Sequence, residues 1–98
     1  MDKDQALQVV YGALDLANSL RAPENAIALT PDVNLVGEGG ALDSLALTML
    51  VLAIENRIND LTGEEVSLLS EDNLEADLES CRTPNTLAAL ILEKLGHV

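Results

Sequence analysis

The chain has 98 residues, enough for one small domain spanning 1–98, and 48% of them are hydrophobic, enough for a core. Seventeen acidic residues against five basic ones give a net charge of −12, which repels nucleic acid and anionic membrane surfaces and leaves a basic protein as the natural electrostatic match. Tyr11 is the one aromatic residue, so the core must be aliphatic, a composition that favours helices over sheet.

The N-terminal stretch from Met1 to Gln5 has no basic segment followed by an apolar one, so it does not read as a signal peptide. No apolar run is long enough for a membrane span, and the expectation is a cytoplasmic chain. Cys81 is the sole cysteine, which excludes an intrachain disulfide and a cysteine-based metal site.

Asp2 and Gln5 have the spacing of a helix capping box, and Leu7, Val10, Tyr11, Leu14 and Ala17 continue from them at helical intervals. This first helix is predicted to end near Leu20 or Arg21, before Pro23; Gly12 within it costs about 1 kcal/mol relative to alanine. From Ala22 to Leu42, Pro23, Pro31, Gly37, Gly39 and Gly40 break any long period. Ile27, Leu29, Val33, Leu35 and Val36 nevertheless predict a long loop held down by its own apolar anchors.

That loop delivers Asp43-Ser44-Leu45 to the start of a second helix, predicted from about Ser44 to Asn59, with Asp43 or Ser44 as the N-cap. Leu45, Thr48, Leu52 and Ile58 fall on one side of it, while Leu47, Met49, Leu50, Val51 and Ile54 fill most of the rest. A helix apolar nearly all round should be buried nearly all round, and a chain this short has too few helices to surround it. Part of it must therefore face an apolar guest or a protein partner.

After Leu61-Thr62-Gly63 ends that helix, Val66 to Leu69 reads as extended. Ser70 to Leu74 opens a short acidic third helix with Leu74 and Leu78 inward, and Thr83-Pro84 caps a fourth with Leu87, Leu90, Ile91 and Leu95 as its stripe, stopped by Gly96. The expected fold is all-α: a four-helix bundle with a long first loop and a short third helix.

Asp43-Ser44-Leu45 alone fits an ordinary helix cap. In its setting it does more, because a helix start is favourable for anions and a phosphate ester there would be well accommodated. The order of first helix, long loop, Asp-Ser-Leu, long apolar helix, short helix and capped last helix resembles the acyl carrier protein family over nearly the whole chain. The resemblance implies a stand-alone carrier that holds acyl intermediates as thioesters on a 4′-phosphopantetheine arm, esterified to Ser44 and derived from coenzyme A. It implies that Asp43 helps a phosphopantetheinyl transferase recognise the serine and that Leu45 packs at the helix start. Further implied partners are an acyl-loading enzyme, either an acyl ligase or an acyltransferase, and downstream acyl-transferring enzymes.

Two features depart from the family. Glycine stands three residues before Asp43 instead of two, and Ala46, Leu47 and Met49 occupy the early second helix where fatty-acid carriers place acid. The acidity lies instead at Glu71, Asp72, Glu75, Asp77 and Glu79, and Arg57 takes a place where acid is common. The expectation is a monomeric, specialised carrier for a dedicated lipid, polyketide or other secondary pathway, with Ala46, Leu47 and Met49 as an apolar docking face.

The chain is not expected to be an enzyme: the one histidine is His97, and Ser44 lacks the Gly-x-Ser-x-Gly elbow. Two other readings stay open. An unmodified helical adaptor would bind a partner through the exposed apolar face. A calcium loop from Asp32 through Asn34, Val36 and Gly37 to Asp43 would imitate an EF-hand, but Val36 falls on a ligand position and Asp43 replaces the bidentate Glu. Glu75, Asp77 and Glu79 read as a solvated face with no metal.

Overall fold

The computed structural model describes residues 2–36, 40, 42–69 and 74–95. Gly37, Gly39, Ser70, Glu71, Asp72, Gly96 and His97, which the sequence singles out, lie outside the described residues. All regular structure among the described residues is helical: α1 (Lys3–Asn18), α2 (Ser44–Thr62), α3 (Leu74–Ser80) and α4 (Pro84–Lys94), with a 3-10 turn at Pro23–Asn25. No described helix is long and apolar enough to cross a membrane.

The capping box at α1 forms as its spacing predicts. Asp2 Oδ1 accepts from the Gln5 backbone N–H at 2.8 Å, and Gln5 Oε1 accepts from the Asp2 N–H at 2.9 Å. The buried face is Ala6, Val9, Val10 and Leu14: Val10 and Leu14 of the predicted stripe are buried, Leu7, Tyr11 and Ala17 are half-buried at its edge, and Ala6 and Val9 complete it. α1 stops at Asn18, short of Leu20. Its last turn tightens into i→i−3 bonds, with Leu20 N–H on the Ala17 carbonyl and Arg21 N–H on that of Asn18. The Asn18 amide leaves the helix pattern to grip the loop: its Oδ1 accepts from Ile27 N–H at 2.8 Å and its Nδ2 donates to Ile27 O at 3.0 Å.

The long loop is held down as its apolar residues predict, with Ile27, Leu35 and Leu42 buried; Leu29 is exposed. Two backbone bonds fasten it to the α3–α4 junction, Leu35 N–H to Arg82 O at 2.7 Å and Asn85 N–H to Pro31 O at 3.0 Å. Leu42 N–H then donates to Leu35 O at 2.8 Å, closing the end of the loop on itself just before α2.

α2 runs three residues beyond the predicted Asn59. Gly63 ends it in the left-handed conformation at φ 74°, where its N–H reaches Asn59 O and a side chain would be strained. The buried face is Leu47, Leu50, Val51, Ile54 and Ile58. Leu45, Thr48 and Leu52 therefore face away from the core, and Ile58 does not share their side. The segment after α2 contains no strand; it is pinned by Glu55, whose Oε2 accepts from Leu68 N–H at 2.9 Å while the Leu68 side chain enters the core.

α3 departs from its predicted face. Leu78 is 38% exposed, while Asp77 is only 4% exposed. Asp77 turns inward because Lys94, at the end of α4, donates from Nζ to its Oδ2 at 3.3 Å, so burial of the carboxylate is compensated. Glu75 and Glu79 are exposed as expected, and Glu79 pairs with Arg82 at 2.9 Å. α4 begins with a second capping box, Thr86 N–H on Thr83 Oγ1 at 3.1 Å and Thr83 N–H on Thr86 Oγ1 at 3.2 Å. Leu87, Ala88, Leu90 and Ile91 form its buried face. α1, α2, α4, the long loop, Leu68 and Cys81 contribute to one continuous apolar core, with α1 packed most extensively on α4.

Cys81 is fully buried in that core. Burial, and secondarily the Asp77 carboxylate, pushes its thiol up to about 11 from the usual 9.0. The unfolded chain therefore ionises first as pH rises, so the folded state loses stability as pH climbs from about 9 toward 11. The fall in urea midpoint across this window should be steeper for the native chain than for Cys81→Ala; identical slopes would remove the assignment.

Candidate functional site at the start of α2

Three local features present the Asp43-Ser44-Leu45 segment. Gly40 lies so close to the backbone of Val36 that a Cβ on it would stand 2.6 Å from the Val36 Cα. Glycine is thus required here by close approach to the Val36 backbone. Leu42 then buries its side chain and ties its N–H to Leu35, so the chain enters α2 from a fixed point.

Asp43 is the N-cap. Its backbone is extended, at φ −85° and ψ −178°, and its Oδ1 accepts from Ala46 N–H at 2.8 Å. A cap of this kind contributes about 1 kcal/mol to the helix. It also leaves Ser44 as the first helical residue, at the positive end of a 19-residue helix whose first turn carries no acid. The arrangement can accommodate a negatively charged ester next to unpartnered backbone N–H groups.

The surrounding predicted residues separate. Leu45 is 69% exposed, so it does not pack at the helix start; it stands beside the serine position as an uncovered side chain. Met49 is 57% exposed and Ala46 half-buried, in keeping with an outward apolar surface. Leu47 is only 7% exposed and belongs to the core, which corrects its assignment to the docking face. It points inward because it begins the series Leu47, Leu50/Val51, Ile54 and Ile58, one side of a 3.6-residue period.

Leu52 extends the outward surface by a further turn. Beside it stand Leu16 of α1 and Leu20 in the turn after α1, both well exposed and neither recognised from the sequence as part of the site. With Leu42, Ala46 and Met49 they line an apolar groove of about 300 Å³ that reaches the first turn of α2. The signal available in the sequence is that Leu16 falls off the inward stripe of α1.

Among the described residues no group of His, Cys, Asp or Glu could hold a metal. The Asp43 carboxylate, the twelfth position of the EF-hand-like spacing, is engaged in capping α2. Comparison of the chain with protein-family models, curated proteins and solved structures finds no match.

Proposed function

We propose that the protein is an acyl carrier of four-helix-bundle type, bearing 4′-phosphopantetheine on Ser44 and holding acyl groups as thioesters for a dedicated biosynthetic pathway. The observation that carries this reading is the position of Ser44: it follows a capping aspartate, opens the long apolar α2, and comes from a loop fastened to α1 and to the α3–α4 junction. A carrier needs no catalytic group of its own. It needs a serine at a fixed, anion-tolerant point and a surface on which successive enzymes can dock. The flexible arm then keeps the intermediate at high effective concentration beside each docked enzyme.

The specialised character rests on the first two turns of α2, where Ala46, Leu47 and Met49 stand in place of the acid expected of a fatty-acid carrier and Met49, with Leu45 beside it, is exposed. A partner matched to this surface would be apolar at the centre of contact. Transfer from a fluorescent coenzyme A conjugate, catalysed by a broad-specificity phosphopantetheinyl transferase, tests the reading. Native chain should become labelled and Ser44→Ala should not. Met49→Glu should remain folded and be labelled more slowly than the native chain by a transferase that docks on this face; an unchanged rate would remove the apolar-docking element.

A second reading, an unmodified helical adaptor, is favoured by the exposed row of Leu45, Met49 and Leu52. It predicts no labelling of folded protein by any transferase.

A further inference from the structure

The groove lined by Leu16, Leu20, Ala46 and Met49 continues along the helices. A second cavity of about 340 Å³ shares Ala13, Leu16 and Ala53 with it, and a third of about 550 Å³ shares Gln8, Val9 and Arg57 with the second. Together they follow the whole seam between α1 and α2. The start of α1 lies beside Leu61 and Thr62 at the end of α2, and Leu20 lies beside Ala46 at its beginning, so the two helices are antiparallel. The 16 residues of α1 set a groove length of about 24 Å at 1.5 Å per residue.

The floor of this seam is low because Gly12, Ala13, Ala17, Ala46 and Ala53 line it. A Cβ on Gly12 would meet nothing within 4 Å. The walls are Leu16, Leu20, Met49 and Leu61, all more than half exposed. Isolated exposed leucines are ordinary; their convergence on one channel marks an interaction surface.

Charge narrows the occupant. Of the five basic residues in a chain with seventeen acids, Arg21 and Arg57 line this seam, and Asp4 is the one acid among its described lining residues. Arg57 is exposed and has no hydrogen bond or ion pair with any described residue. The seam is thus apolar and locally cationic within a strongly anionic molecule. A second copy of the chain is disfavoured, because each copy brings a charge of −12.

We infer that the α1–α2 seam receives an amphipathic helix of a protein partner, with its apolar stripe on the small-residue floor and Asp or Glu on the flank that meets Arg57. Small residues on two antiparallel helices let a third helix approach to ordinary packing distance, and about four turns of helix fill the groove. The partner's outward face is free to carry basic residues, which suits the field of the whole molecule. At physiological salt, charges further apart than about 8 Å are largely screened, so the flank is read by Arg57. This inference does not depend on modification of Ser44 and holds equally for Ser44→Ala protein.

The probe is a fluorescein-labelled synthetic helix of about four turns, with a Leu/Ala stripe, Glu on the two flanks and Lys outward, neutral overall. Its isomer has Glu and Lys exchanged. Fluorescence anisotropy should give tighter binding of the Glu-flanked peptide by several-fold, the scale of exposed charge pairs. Arg57→Glu should invert that preference. Gly12→Leu should abolish binding by filling the floor, while its thermal midpoint stays unchanged or rises, since leucine is the better helix former. Equal binding of the two isomers, insensitive to Arg57→Glu, overturns the inference, as does full binding to Gly12→Leu. It is also overturned if neither peptide binds while a fluorescent fatty-acid analogue does, which would make the seam a small-ligand site.

Discussion

Ile54→Ala is expected to destabilise the protein by about 2–5 kcal/mol, the range for truncating a fully buried aliphatic side chain. Ile54 has no exposed surface and stands at the centre of the inward row of α2, among Leu50, Val51 and Ile58. With no Trp or Phe in the chain, the core depends on many such contacts, and a domain of this size has about 5–15 kcal/mol in total. Met49→Glu, on the outward side of the same helix, should lie within about 0.5 kcal/mol of the native chain. Urea midpoints with an unchanged m-value would establish the contrast. Comparable losses for the two variants would mean that α2 does not present the faces described.

Gly40→Ala is expected to cost about 1–3 kcal/mol, as overpacking against an unyielding neighbour does. The neighbour is the Val36 backbone, not the movable end of a side chain, so relief requires the loop itself to shift. That shift would strain the Leu42 N–H to Leu35 O bond and with it the entry into α2. Hydrogen exchange should therefore report lost protection at the Leu42 amide, and labelling of Ser44 should slow although the serine is untouched. Native protection at Leu42 in the variant would show that the close approach does not fix the site.

Local chemistry made the helix starts readable. Asp2 with Gln5, and Thr83 with Pro84, announce their helices through side-chain groups within three residues of the backbone they satisfy, and both caps form. The cap of α2 was legible in the same way to within Asp43 or Ser44, and Asp43 makes it. The inner faces were less so. α2 is apolar on nearly every side, so no period distinguishes Leu47, which is buried, from Leu45 and Met49, which are not; the position of α1 decides that. Asp77 reads as a surface acid because its partner Lys94 lies 17 residues away on another helix. The pairing of Asn18 with Ile27 is equally remote, across nine residues of chain containing Pro23. Glycine at position 40 could be read as a turn signal, but not as the point of close approach to the Val36 backbone.

The central claim is that Ser44 carries phosphopantetheine, and intact mass tests it most directly. Native protein and Ser44→Ala, both verified as folded by circular dichroism, would be incubated with coenzyme A and a broad-specificity phosphopantetheinyl transferase. The account predicts a gain of one phosphopantetheinyl group in the native chain and none in the variant. No gain with any of several transferases, or an equal gain in Ser44→Ala, would contradict it and leave Ser44 as the first residue of a capped helix.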